Sequence, residues 1–308
     1  MSLSIFTNAA SMASTNAMNK SNSLLSTAME RLGTGKRINS AADDAAGLQI
    51  ATRLQGQTNG MTVAQRNISD ATALLQTAEG AFDEVSNIMY RMKDLASQSA
   101  NDTNTDKDRK AIDSELNELN SELSNIMKNT SYAGDKVFTG ADSKFAKELS
   151  FQIGSSTDET MKIDLSSSLK GGTTASGALI SAQGEFNGIS NASGAALPGA
   201  SGGYMNGTSI EITTAEGAKA LMDNLQATLD SVGSVRSTLG ANINRLGHTA
   251  SNLANMKDNT DLALSNIQDA DYATEASTMS RNQLLAQTSM SMLKQSNSMS
   301  SMVMSLLG

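Results

Sequence analysis

Residues 54–92 read LQGQTNGMTVAQRNISDATALLQTAEGAFDEVSNIMYRM. Large apolar residues recur here every seven positions, at Leu54, Met61, Ile68, Leu75, Phe82 and Met89. Three positions after each stands Gln57, Ala64, Ala71, Ala78, Val85 or Met92, mostly small or apolar. A helix returns side chains three and four apart to one face, so this spacing writes a single apolar stripe, the seam of a coiled coil. It predicts a helix from Asp43 to about Ser99, roughly 85 Å long at about 1.5 Å per residue. Gly56, Gly60 and Gly80 oppose its continuity, each costing about 1 kcal/mol relative to alanine.

Outward from this stretch the same period returns. After a polar loop at Asn101 to Thr105, Ile112, Leu116, Leu119, Leu123 and Ile126 alternate steps of four and three. The loop is short, which predicts an antiparallel pair. A third seam runs from Ala218 through Leu225, Val232, Leu239, Leu246, Leu253, Thr260 and Ile267. Leu221, Val235 and Met256 support it, and Thr228, Asn242 and Thr249 weaken it. The ends carry narrower stripes, Met18, Leu25 and Leu32 at one and Leu285, Met292, Met299 and Leu306 at the other. A narrow stripe cannot stabilise a lone helix, so the first helix is expected to pair with the last. Between the seams, Leu149, Phe151 and Ile153 alternate with polar residues, as do Met161, Ile163 and Leu165, with Gly154 to Glu159 as the turn of a β-hairpin. Residues 171–207 hold 10 of the 24 glycines and the sole proline, Pro198, and read as a loop-rich surface excursion. Ile210 and Ile212 suggest a short returning strand. The fold class expected is mainly α: long antiparallel coiled-coil helices, paired N- and C-terminal helices, and a small β-hairpin region.

Composition agrees. Aromatic residues are 3%, Trp is absent and one proline stands in 308 residues. A thin core suits packed helices, and scarce proline leaves long helices unbroken. The absence of cysteine excludes disulfides and thiolate metal sites. A net charge of −8, with no basic block and few aromatic rings, argues against a nucleic-acid partner. No apolar run of spanning length occurs, so no membrane partner is expected. Met1 to Asn19 carries no charged side chain, and the basic region of a cleaved secretory signal is missing.

Glu30-Arg31-Leu32-Gly33-Thr34-Gly35-Lys36-Arg37-Ile38-Asn39-Ser40-Ala41-Ala42-Asp43-Asp44-Ala45-Ala46-Gly47 resembles the N-terminal signature of bacterial flagellins. Asp269-Ala270-Asp271-Tyr272-Ala273-Thr274-Glu275, followed by Met279-Ser280-Arg281, resembles their C-terminal signature, and the ending Val303 to Gly308 is also similar. The resemblance implies a layered subunit. Residues 1–40 with 268–308 would form an inner coiled coil, and residues 41–170 with 206–267 a surrounding helical layer with its hairpin. Residues 171–205 would be a short variable surface segment, so the chain has almost no outer domain. Met299 to Met302 stands where the family usually has Gln-Val-Pro.

The function implied is a structural subunit that self-assembles into the flagellar filament for motility. Secretion to the extracellular filament would proceed without a cleaved signal peptide. Filament contacts are expected at Met18, Leu25, Leu32, Leu285, Met292, Met299 and Leu306. Expected partners are further copies of the chain, a flagellar export chaperone, and cap and hook-associated proteins. Arg91-Met92-Lys93-Asp94-Leu95 resembles the stretch by which flagellins are bound by Toll-like receptor 5, and implies contacts at Arg91, Leu95 and Glu115. The alternatives are a hook–filament junction protein and a secreted coiled-coil binding factor.

No enzyme, cofactor or metal is expected. Gly33-Thr34-Gly35-Lys36 lacks the glycine spacing and preceding strand of a phosphate loop. His248 is the sole histidine, too few for a zinc set without cysteine. Asp43 and Asp44 suit a helix start. The Met-rich tail, with no basic residue after Lys294, reads as packing in an assembly.

Overall fold

A computed structural model of the chain describes residues 8–138, 143–165, 210, 212 and 214–307. The 171–205 segment expected at the surface lies outside the described residues. The helices are α1 (Ala9–Thr34), α2 (Ala45–Ser99), α3 (Asp106–Asn129), α4 (Ala215–Gln268) and α5 (Tyr272–Leu307). Between α3 and α4 lie β1 (Ser131–Tyr132), β2 (Asp135–Lys136), a 3-10 turn at Lys144–Ala146, β3 (Leu149–Gln152) and β4 (Thr160–Ile163). The chain forms two compact units, residues 1–59 with 256–308, and residues 60–255. The long helices α2 and α4 contribute to both.

The second unit holds the core. Met61, Ile68, Leu75, Phe82 and Met89 are buried, as are Ala64, Ala71, Ala78, Val85 and Met92 three positions on. The heptad reading of α2 therefore holds throughout this unit. On α4, Ala218, Leu225, Val232, Leu239, Leu246 and Leu253 are buried in the same cluster. Thr228 and Asn242 are buried beside them; their side chains satisfy themselves on carbonyls one turn back, at Asn224 and Thr238. Polar residues can thus occupy the seam without orphaned groups. The helices run antiparallel: Arg236 pairs with Asp83 at 2.9 Å, and Lys93 donates to Gln226.

On α3 the seam differs from the expected one. Ile112, Leu116 and Leu123 are buried, but Asn120 and Met127 share the core while Leu119 and Ile126 are half-buried. Arg109 is buried too, and its guanidinium donates to the carbonyls of Ser99, Asn101 and Asn104. A cation thus caps the carbonyl end of α2 and fixes the turn into α3. At the start of α3, the Thr105 backbone N–H and hydroxyl donate to Asp108 at 2.9 and 2.7 Å.

The expected hairpin is present as the antiparallel pair β3–β4, with Phe151 opposite Met161 and Leu149 opposite Ile163. A second, two-residue ladder, β1–β2, turns through Ala133 and Gly134, both at positive φ. It was not expected, since two residues carry no readable period. The returning strand at Ile210 and Ile212 is a correction: both residues are buried, but neither is in a strand. Their backbone is held by side chains of α3. Asn117 exchanges two hydrogen bonds with Ile210, at 2.6 and 2.8 Å, and Asp113 accepts from the Ile212 N–H. A carboxamide presents the same donor and acceptor as a peptide, so it substitutes for a strand neighbour.

The three glycines do not break α2. At Gly60 an added Cβ would stand 2.7 Å from the Cβ of Ser155, so the glycine admits the hairpin turn against the helix. Gly56 and Gly80 face open space.

Candidate assembly site

In the first unit α1 packs antiparallel against α5. The Asn8 carboxamide donates to the Ser296 hydroxyl at 2.8 Å at one end, and Arg31 pairs with Glu275 at 3.0 Å near the other. Asn8 also caps α1 by accepting from the N–H groups of Ala10 and Ser11.

The covered face of α5 is made of small and polar residues. Asn282 is buried, and Glu275, Ala286, Ser289, Leu293 and Ser296 are half-buried at steps of three and four. On α1, Ser21 and Ala28 are buried, with Met18, Leu25 and Leu32 half-buried between them. Leu285 and Met292 stand outside this seam, at 48% and 58% exposed. Small buried residues bring the two backbones close, with Met18, Leu25, Leu32 and Leu293 partly covered beside them. Leu24, Met29, Leu284, Leu285, Met290 and Met292 are all exposed on this pair. Such a density of uncovered large apolar groups marks an interaction surface. The side chains of Met299 and Leu306 lie outside the described residues.

The pair is held at its base by a short backbone junction. Gly35, at φ 72, ends α1 and donates to Arg31 O at 2.8 Å. A left-handed glycine after a helix satisfies a carbonyl of the last turn without steric cost. Gly35 O then accepts from Ala270 N at 3.0 Å, and Arg37 N donates to Gln268 O at 2.7 Å. Lys36 and Asp269 thus form an antiparallel bridge. The Arg37 guanidinium donates to Ile267 O at 2.9 Å, capping α4. Beyond it, Asp43 accepts from the N–H groups of Asn39 and Ser40, at 3.1 and 2.9 Å. These bonds hold its carboxyl below the usual aspartate range. Asp44 caps α2 through Gly47 N at 2.9 Å. Asp271 caps α5 by accepting from Thr274 Oγ1 and Ala273 N, which lower its pKa in the same way. Asp43, Asp44 and Asp271 thus each hold a turn or a helix end.

Thr34 lies in α1 and Gly35 closes it, so no strand precedes Lys36. His248 is exposed on α4. Among the described residues, no group of three His, Cys, Asp or Glu side chains could hold a metal ion, and no helix is long and apolar enough to cross a membrane.

The segments that meet at this junction are the two stretches whose resemblance was noted. The family models described as the bacterial flagellin N-terminal helical region and C-terminal helical region match residues 5–143 and 222–307. The chain belongs to the bacterial flagellins. It is 34% identical to polar flagellin F of Vibrio parahaemolyticus and to flagellin A of Vibrio anguillarum, each alignment covering all of both chains. The first alignment spans 381 positions against 308 residues here, so that relative carries residues this flagellin lacks. A solved structure described as a flagellar hook-associated protein from Vibrio parahaemolyticus shares the fold, at 16% identity and a TM-score of 0.55, over 74% of this chain and all of that one. As a flagellin, the chain is a structural subunit of the flagellar filament and not an enzyme.

On the second unit, Arg91 and Glu115 form an exposed ion pair at 2.7 Å between α2 and α3. Leu95 does not join them at the surface. It is 3% exposed and belongs to the core, because it falls on the seam side of α2 beside Met92 and Ala96.

Proposed function

We propose that this flagellin adds to the filament through the outward face of its terminal helix pair, with a second copy of the chain as the occupant. The observation that carries this is the set of large apolar side chains left uncovered on α1 and α5, Leu24 and Met29 with Leu284, Leu285, Met290 and Met292. Full burial of one such side chain contributes roughly 1.5–3 kcal/mol, so several together offset the ordering of the incoming subunit. A contact that joins two different faces of the subunit propagates as a helical polymer when its rotation does not close a ring. Met18, Leu25 and Leu32 serve mainly to hold α1 on α5, while Leu285 and Met292 face the neighbouring copy. In this reading residues 1–40 with 268–308 form the inner layer, residues 41–170 with 206–267 the surrounding one, and residues 171–205 the outer surface. The subunit is secreted. An export chaperone, the cap and hook-associated proteins bind the same terminal helices while these are uncovered. A double variant, Leu285→Lys with Met292→Lys, is expected to stay monomeric with unchanged helicity at concentrations where the parent forms filaments. Filaments of normal length from that variant would overturn the assignment.

A second partner is supported by the exposed ion pair. We propose that Toll-like receptor 5 binds the monomer through Arg91 and Glu115, with Leu95 shaping the helix face from beneath. Arg91→Ala and Glu115→Ala are each expected to lower monomer potency in a receptor-signalling assay about tenfold or more, the loss expected of a contact hot spot. Equal potency of parent and variants would remove the proposal.

A further inference from the structure

The methionines divide sharply between the two units. In the second, Met61, Met89, Met92, Met127 and Met161 are buried and Met222 is half-buried. In the first, no described methionine side chain is buried: Met12, Met29, Met256, Met290 and Met292 are 46–60% exposed, and Met18 and Met279 are half-buried. Four of the exposed ones, Met12, Met29, Met290 and Met292, sit on α1 and α5 among uncovered leucines.

A thioether is apolar, adaptable and open to oxidation wherever an oxidant reaches it. We propose that these four methionines are an oxidation site of the unassembled subunit, and that their sulfoxides prevent its addition to the filament. The proposal rests on the terminal face being the assembly face. The oxidant is a two-electron peroxide. The sulfur lone pair attacks one peroxide oxygen as the O–O bond breaks. The S–O bond forms, and the departing hydroxide takes a proton to leave as water. Sulfur is oxidised by two electrons and the peroxide is reduced by the same two. The product is a polar, branched acceptor where a flexible apolar group stood. Burying such a group unpaired disfavours association. The core methionines of the second unit are shielded, so the subunit keeps its fold while its joining surface changes. Assembly covers the same sulfurs, which makes a subunit sensitive before it joins and resistant afterwards.

The test is peroxide treatment of monomer, peptide mass mapping, and a measurement of the critical concentration for polymerisation. Met12, Met29, Met290 and Met292 are expected to gain oxygen before Met89, Met92 and Met127. The critical concentration should rise at least about tenfold, the effect of several unpaired polar groups at one contact. In a variant with all four replaced by leucine, peroxide should leave the critical concentration at that variant's own untreated value. The variant retains Met299, Met302 and Met304, so undiminished sensitivity would assign the effect to other sulfurs and overturn the proposal. Normal assembly of monomer mapped as sulfoxide at all four positions would also overturn it. A Leu285→Lys monomer separates the two readings. If it fails to assemble while sulfoxide monomer succeeds, only the oxidation proposal falls; if both assemble normally, the face itself has been misassigned.

Discussion

Gly60 and Gly80 stand on the same helix and look alike in sequence, yet their surroundings assign them opposite roles. An added Cβ at Gly80 meets nothing within 4 Å, whereas at Gly60 it would press on Ser155. Gly80→Ala is therefore expected to raise the monomer's unfolding free energy by about 1 kcal/mol, the helix-propensity difference. Gly60→Ala should lower it, because the hairpin turn must move to make room. Chemical denaturation of the two variants checks both signs; a matching gain at Gly60 would mean that the hairpin does not rest on the helix there. Apolar residues of the seams were legible one by one from their period, as Leu75, Phe82 and Leu239 show. The polar ones were not. Asn120 and Arg109 are buried because of partners or positions no periodicity encodes, and Leu95 is buried where a surface residue was expected. Arg91 and Glu115, which the family resemblance named together, meet as an ion pair between α2 and α3.

Short polar side chains hold the starts of α3 and α5 and the turn before α2, and three of these are aspartates with lowered pKa. Asp43 is lowered by the backbone N–H groups of Ser40 and Asn39, Asp108 by Thr105, and Asp271 by Thr274 and the Ala273 N–H. A carboxyl whose folded pKa lies below its unfolded value stabilises the fold fully above the unfolded value. That contribution is lost as pH falls through the folded one. The loss is thus confined to below about pH 4, the ordinary aspartate value. Between pH 5 and 8 these caps predict no change in helicity; below pH 4 the starts of α3 and α5 should fray first. Asp108→Asn should flatten the acid limb of the α3 amide-exchange profile. An unchanged limb would show that the capping carboxylate does not control that end. At this scale α2 and α4 were readable because five or more heptads repeat, and the β3–β4 hairpin because two alternating runs flank one turn. The β1–β2 ladder and the Lys36–Asp269 bridge were too short to carry a period. Gly35, placed one residue past a helix, was the signal that a turn was built there.

The two units differ in what their surfaces still require. The second buries the seams of α2, α3 and α4 in one apolar cluster. The first joins α1 to α5 through Ser21, Ala28 and Asn282 with Met18, Leu25, Leu32 and Leu293 half-buried, and leaves other large residues in solvent. The sequence named Leu285 and Met292 as filament contacts together with Met18, Leu25 and Leu32, because a heptad says which residues share a face but not which neighbour covers it; the last three are half-buried within the pair. The central claim is that residues 1–40 and 268–308 serve assembly while the rest holds its own fold. Electron microscopy of a chain lacking both segments, at concentrations where the parent polymerises, tests it most directly. The account predicts a field without filaments from a protein whose α2, α3 and α4 remain helical; filaments growing from that truncated chain would contradict it.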